Sequence, residues 1–264
     1  IWKSLSLSIR GDLAGQAQQI RQFLGITLEE QIAWKSDDIA LKQWRQAVED
    51  CGVFVFKAAF KQKDISGFCL MDENLPVIYL NNSTTKTRQI FSLLHELAHL
   101  LLSINGLSKF DTDYIARLPE SEKQLEIFCN AIAAEILIPG RDFAIQAERF
   151  PANIEAAPET LLSDLAGRYG VSREVILRRF LDLGRVSKIF YEDKAKRWAA
   201  QKQPAGGGNW YLNQGAYLSD RFAKEVVSRH FRGQISLEQA SDFLGIKPKS
   251  YAGFEERILQ GSGA

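Results

Sequence analysis

His95-Glu96-Leu97-Ala98-His99 sets two imidazoles four residues apart, with a carboxylate beside the first. On a helix that spacing stacks both rings on one face, one turn apart, where they can share one tetrahedral ion. Glu96 projects about 100° round the helix, toward the position a water would take. There it can accept the water's proton and hand it on to a leaving amine. The predicted chemistry is metal-assisted peptide hydrolysis, with Zn2+ as cofactor. The bland alternative is a pair of core histidines bonded to carbonyls, with Glu96 at a polar edge. It fits less well, because the flanking stretches 90–94 and 100–102 are almost wholly apolar and the helix should be buried. Two His and one Glu on a buried helix cost several kcal/mol unless they find partners, and a metal with its water supplies them.

A catalytic zinc usually takes three protein ligands. Leu102 and Asn105 stand where an extended motif would carry its glycine and third histidine, and the remaining histidine, His230, lies far downstream. A carboxylate from another element is therefore expected. Glu126 and Glu135 fall on the next predicted helix, nine residues apart. That separation puts them on opposite faces, so only one can look at the metal. Asp111 and Asp113 are further candidates.

These residues need elements to hold them. Apolar periodicity predicts amphipathic helices over 12–24 and 28–49, and Gly52 ends the second. Three β-rich runs follow, Val53–Phe56, Ser66–Leu70 and Val77–Leu80. Helix is predicted again over 84–105, closed by Gly106, and over 120–138, stopped by Pro139-Gly140. The fold class is thus α+β and mostly helical, with a small three-stranded sheet and two active-site helices. We divide the chain into a catalytic domain over 1–150 (N-terminal helices within 1–51, sheet within 53–80), a helix-turn-helix-like segment over 151–184, and a helical region over 185–264 with a Gly-rich loop at 204–209.

In the middle segment Ala166, the turn residue Gly170 and Ile176 occupy places where two helices pack closely, and Ser172 is placed to cap the second. Residues 164–202 carry ten Lys/Arg against five Asp/Glu, which is compatible with phosphate contact. A three-helix pattern is not base readout, however, so structural support is preferred to DNA binding. The whole chain, 264 residues with a formal net charge of +1, projects no field toward nucleic acid or membrane. No apolar run approaches the roughly 20 residues of a membrane span. Three cysteines without a C-x-x-C pair suit a reducing cytosol, so the expected location is cytoplasmic. The chain opens on Ile1 rather than Met, as a piece of a longer protein would.

Arg88-x-x-Phe91-x-x-x-His95-Glu96-Leu97-Ala98-His99, followed by Glu126-x-x-Cys129-Asn130-x-x-Ala133-Ala134-Glu135-Ile-Leu-Ile-Pro139, resembles the ImmA/IrrE family of bacterial zinc peptidases. The resemblance extends more loosely over residues 1–260, through the Gly run before Trp210-Tyr211 and Gly245-Ile-Lys-Pro248. It implies a zincin-like core, Glu126 as third ligand, a structural role for Glu135, and Asn130 as a partner one turn beyond Glu126. It also implies a protein substrate, a helix-turn-helix repressor whose cleavage releases stress, phage or mobile-element genes. Zincin-type peptidases bind substrate as a strand added to a sheet edge, although the sequence does not say which strand. Tyr or Asn side chains often steady the oxyanion. Asn209, Trp210 and Tyr211 are candidates for folding over the cleft, with an ordinary aromatic anchor the preferred account. Two other functions remain open: a zinc-containing DNA- or protein-binding regulator, and the toxin of a toxin–antitoxin pair. Glu96 favours chemistry, since a structural His₂Glu site has no need of it.

Overall fold

The computed structural model describes residues 4–62, 64–109, 112–201 and 217–260. Its first helices begin where a side chain satisfies open N–H groups. Asp12 accepts from Gly15 N at the head of α1 (Leu13–Leu24), and Thr27 and Glu30 cap α2 (Leu28–Ala33) reciprocally. The single helix predicted over 28–49 is in fact two. Helix stops at Trp34, and the Ser36 hydroxyl restarts it by accepting from Ile39 N, opening α3 (Asp37–Asp50).

The three predicted strands form as β1 (Phe54–Ala58), β2 (Ile65–Leu70) and β3 (Val77–Asn81). A fourth joins them. Helix α4 (Lys86–Leu101) ends short of the predicted position, and Ser103 turns the chain with a left-handed φ of 62°. That conformation costs a non-glycine residue about 1–2 kcal/mol. It lets the chain double back, so Gly106 is not a helix stop but the first residue of β4 (Gly106–Lys109). Sheet order is β1-β3-β2-β4, with β1 and β3 parallel and the other two pairings antiparallel. The fold is α+β and mostly helical, as predicted, with four strands rather than three.

Helix α4 lies on the inner face of this sheet. Ile90, Leu93, Leu94, Leu97, Ala98, Leu100 and Leu101 are all buried. Beside it runs α5 (Glu120–Leu137), whose end is held by a polar clamp. Arg21 donates to Ile136 O at 2.7 Å, and Gln31 donates to Leu137 O at 2.9 Å and Tyr169 O at 2.7 Å. These side chains satisfy carbonyls that a helix C-terminus leaves open, at a cost: burial lowers Arg21 to about 10.

Helices α6 (Gly140–Ala147), α7 (Glu159–Tyr169), α8 (Arg173–Asp182) and α9 (Lys188–Ala199) follow. One apolar core runs from Ala17 to Val186 and so includes α7 and α8. A second, smaller core joins the helices Asp220–Phe231, Leu237–Leu244 and Tyr251–Gln260. The Gly-rich stretch 204–209 lies outside the described residues. Among those described, no helix is long and apolar enough to cross a membrane.

Candidate metal centre

His95 and His99 come from the buried face of α4, and Glu126 comes from the facing side of α5. Their side chains converge. The two Nε2 atoms are 3.0 Å apart, and each lies 3.3 Å from one Glu126 oxygen. Donors about 2.0–2.1 Å from a tetrahedral ion stand roughly 3.3 Å from one another, so this triangle matches the edge length of a zinc site. All three residues are buried, and among the described residues they form the one group of three or more potential ligands. Neither Nδ1 finds a hydrogen-bond partner among the described residues, which leaves packing to orient the rings. The donor set and its spacing therefore fit a divalent transition metal.

Burial would raise the Glu126 carboxyl, but the hydrogen bonds and charge of His95 and His99 outweigh it and hold the group well below the usual carboxylate range. The acid is thus in its ligating, ionised form. Glu96, adjacent to His95, is fully buried on the same helix. A Cβ on Gly106 would lie 2.5 Å from Glu96 Oε2 and 2.6 Å from His99 Cδ2 and Cγ. Strand β4 can approach the metal helix this closely only because the position is glycine.

Tyr114, on a 3₁₀ turn between β4 and α5, donates to Glu126 Oε2 at 2.9 Å. Burial and the Glu126 charge raise its hydroxyl, so it remains a proton donor across physiological pH. Sequence patterning placed neither Tyr114 nor Gly106 at the site. The tyrosine sits in an aperiodic connection that carries no motif. The glycine did carry a signal, since glycine in a strand marks close backbone approach, but it also resembles a helix terminator.

Glu135 faces away from the metal. It accepts from Gly140 N at 2.7 Å and pairs with Arg179 of α8, which also donates to Ile138 O at 2.6 Å. Asn130 lines the same cleft as His95, one turn beyond Glu126 on α5. His230 packs against Tyr251 in the second core, with Nδ1 3.2 Å from Ile235 O. Asp111, the side chain of Asp113, and Asn209, Trp210 and Tyr211 lie outside the described residues. The cleft itself, about 2290 Å³, is open between α4, α5 and α8–α9 and is lined by His95, Tyr114, Ala131, Val175 and Trp198 among others.

A family model described as Peptidase M78, IrrE N-terminal-like domain, matches residues 48–181, just over half of the chain. The matched span includes α4, α5 and all four predicted site residues. No curated protein matches the chain.

Proposed function

The chain belongs to the IrrE N-terminal-like, Peptidase M78 family of metallopeptidases, and from that premise we propose that it is a zinc-dependent endopeptidase acting on a protein partner. His95, His99 and Glu126 would hold the zinc. Bound there, zinc would supply a Lewis acid that makes water a nucleophile at neutral pH and polarises the scissile carbonyl. Glu96 takes the proton from the attacking water and delivers it to the departing amine. Tyr114 reaches the centre with its proton in place, and once Glu126 is engaged as a ligand that hydroxyl would be able to donate to the developing oxyanion.

Substrate would lie along β4. This strand is the edge of the described sheet, and the space a Cβ would take on its first residue lies against both Glu96 and His99. An extended peptide adding to its free edge would gain backbone hydrogen bonds next to the metal. Family membership further supports a helix-turn-helix repressor as the partner, with cleavage switching on stress, phage or mobile-element genes.

One observation carries this reading: two imidazoles and a carboxylate meet at zinc-site spacing with a fourth group, a second carboxylate outside that triangle, buried beside them. A structural zinc would gain nothing from that fourth group. The test is Glu96→Gln, which preserves size and removes the base. We expect full zinc content and partner binding, with cleavage of the repressor reduced about 10²–10⁴-fold, equivalent to roughly 3–5 kcal/mol of transition-state stabilisation. Wild-type protein that carries zinc yet cuts no partner, in parallel with an unimpaired Glu96→Gln in cells, would make this a binding module instead.

A further inference from the structure

Alternation decides what each face of the sheet meets. Val55, Ile78, Leu80 and Cys69 turn inward and are buried in the core that contains α4. The opposite face carries a row of apolar side chains in register across the strands. Phe56 pairs with Tyr79, Tyr79 with Phe68, and Phe68 with Leu107. The Phe56 and Tyr79 rings stack with centroids 5.0 Å apart, and those of Tyr79 and Phe68 stack at 5.2 Å. On the β1 side the row is closed by Phe222 of the helix Asp220–Phe231, whose ring lies 5.4 Å from that of Phe56. On the β4 side it ends at Leu107, 44% exposed, on a strand with no further neighbour among the described residues. The residue before it is Gly106, the position seated against Glu96 and His99. Leu107 is thus the open end of the row, one residue from the point where the sheet meets the metal helix.

We propose that Leu107 is a specificity-determining residue: a substrate strand added to β4 sets one apolar side chain opposite it and so extends the row. The inference rests on the reading of β4 as the substrate-binding edge. A strand in that place alternates, so the residue opposite Leu107 points to the aromatic face while its two neighbours point toward α4 and the metal site. Directly opposed side chains on one sheet face touch, and an apolar partner takes the exposed Leu107 out of water. A charged or amide side chain there would lose solvent against Leu107 and gain no partner in the row. The selected class is an extended protein segment with an aliphatic or aromatic residue close to the cut bond.

The test is a change of preference made by Leu107→Lys, with zinc content and melting temperature measured on the same samples. The probe is a library of random peptides displayed on phage. Zinc-loaded Glu96→Gln, which in this scheme binds without cutting, selects from it with and without Leu107→Lys. Peptides selected by Glu96→Gln alone should share one apolar position. Adding Leu107→Lys should exchange that residue for Asp or Glu, enriched up to about fivefold by the cross-strand charge pair, and leave the flanking positions as they were. In cleavage of the same peptides by otherwise wild-type protein, Leu107→Lys should raise KM for the apolar class with kcat little changed. A preference indifferent to Leu107→Lys overturns the proposal, as does a Glu96→Gln protein that selects no peptide. Loss of preference at every position together with a fall in melting temperature also overturns it, in favour of a role in holding the sheet. A wild-type dimer that Leu107→Lys makes monomeric would give this edge to a second copy of the chain instead. If zinc-loaded wild type cuts nothing while the apolar-to-acidic exchange is found, the strand site stands and the peptidase reading is what fails.

Discussion

Replacing Gly106 with alanine adds one methyl group where two site residues leave no room for it. The new Cβ would meet Glu96 Oε2 at 2.5 Å and the His99 ring at 2.6 Å, about 1 Å inside ordinary van der Waals contact. The carboxylate oxygen ends a flexible chain and can rotate away, but only by abandoning the position from which the proposed base would act. The His99 ring has less freedom, because Cγ sits next to the backbone of a helix buried on nearly every side. Either β4 lifts off the helix or the ring tilts out of the metal triangle. Overpacking of this kind typically costs about 1–3 kcal/mol, a fall in melting temperature of roughly 3–10 °C for a chain of this size. A ligand displaced by a few tenths of an ångström should weaken zinc about 10–100-fold, the range seen when the support of a ligand is lost. The assay is competitive chelation for zinc affinity alongside calorimetry on the same preparation. Gly106→Ala with unchanged melting temperature, zinc affinity and cleavage would refute the claim that β4 is seated against the metal helix.

Glu126→Ala should lose stoichiometric zinc by metal analysis, and full occupancy would remove Glu126 from the ligand set. Glu135→Ala should keep its zinc yet lose about 3 kcal/mol of stability in denaturant titration, because it strands Arg179 beside a buried helix end. Glu49 gives a pH dependence. Burial, opposed by Arg45 and reinforced by Asp220, raises this residue from 4.5 to about 7. Its folded value is above its unfolded one, so its stabilising contribution is complete below about pH 4.5 and is lost as pH rises through 7. Melting temperature should decline across that window, and Glu49→Gln should flatten the decline; parallel profiles would exclude Glu49 as the cause. Duplex DNA should bind weakly, with no sequence preference and a shallow salt slope, whereas a nanomolar selective complex at physiological salt would restore the regulator alternative.

Helix α4 was legible in the sequence because its function and burial reinforce each other: the motif needs a helix, and the apolar residues around it demand that the helix be covered. Glu126 and Glu135 were separable as opposite faces of one helix by arithmetic alone, although choosing between them needed the family pattern. The break at Trp34–Ser36 was not legible, since apolar spacing runs through it and only the Ser36 cap marks the restart. Strand β4 was missed for a different reason. Its four residues alternate too briefly to register, and its existence depends on a left-handed Ser103 that no propensity favours. The residues that touch the site from outside the motif, Gly106 and Tyr114, both follow that reversal.

The positive charge of the α7–α8 pair tells against DNA contact once its partners are known. Arg179 is bound to Glu135 and to the carbonyl of Ile138. Arg173 reaches Glu159 and Gln201 while lying over the Trp198 ring, and Arg178 bonds Asp182. Three arginines that would have to meet phosphates from a recognition helix are thus engaged within the chain, and freeing them would cost the contacts they now make. Ile176, Leu177 and Phe180 are buried in the same core as α4 and α5. Arg173, Val175 and Arg178 line the cleft that His95 also lines. A helix anchored by Arg179 to the end of α5, with one side forming a wall of the cleft, is built to fix α5 and bound that cleft. A sequence-reading helix needs its polar face in solvent, and most of the arginines on this one are already committed to the protein itself.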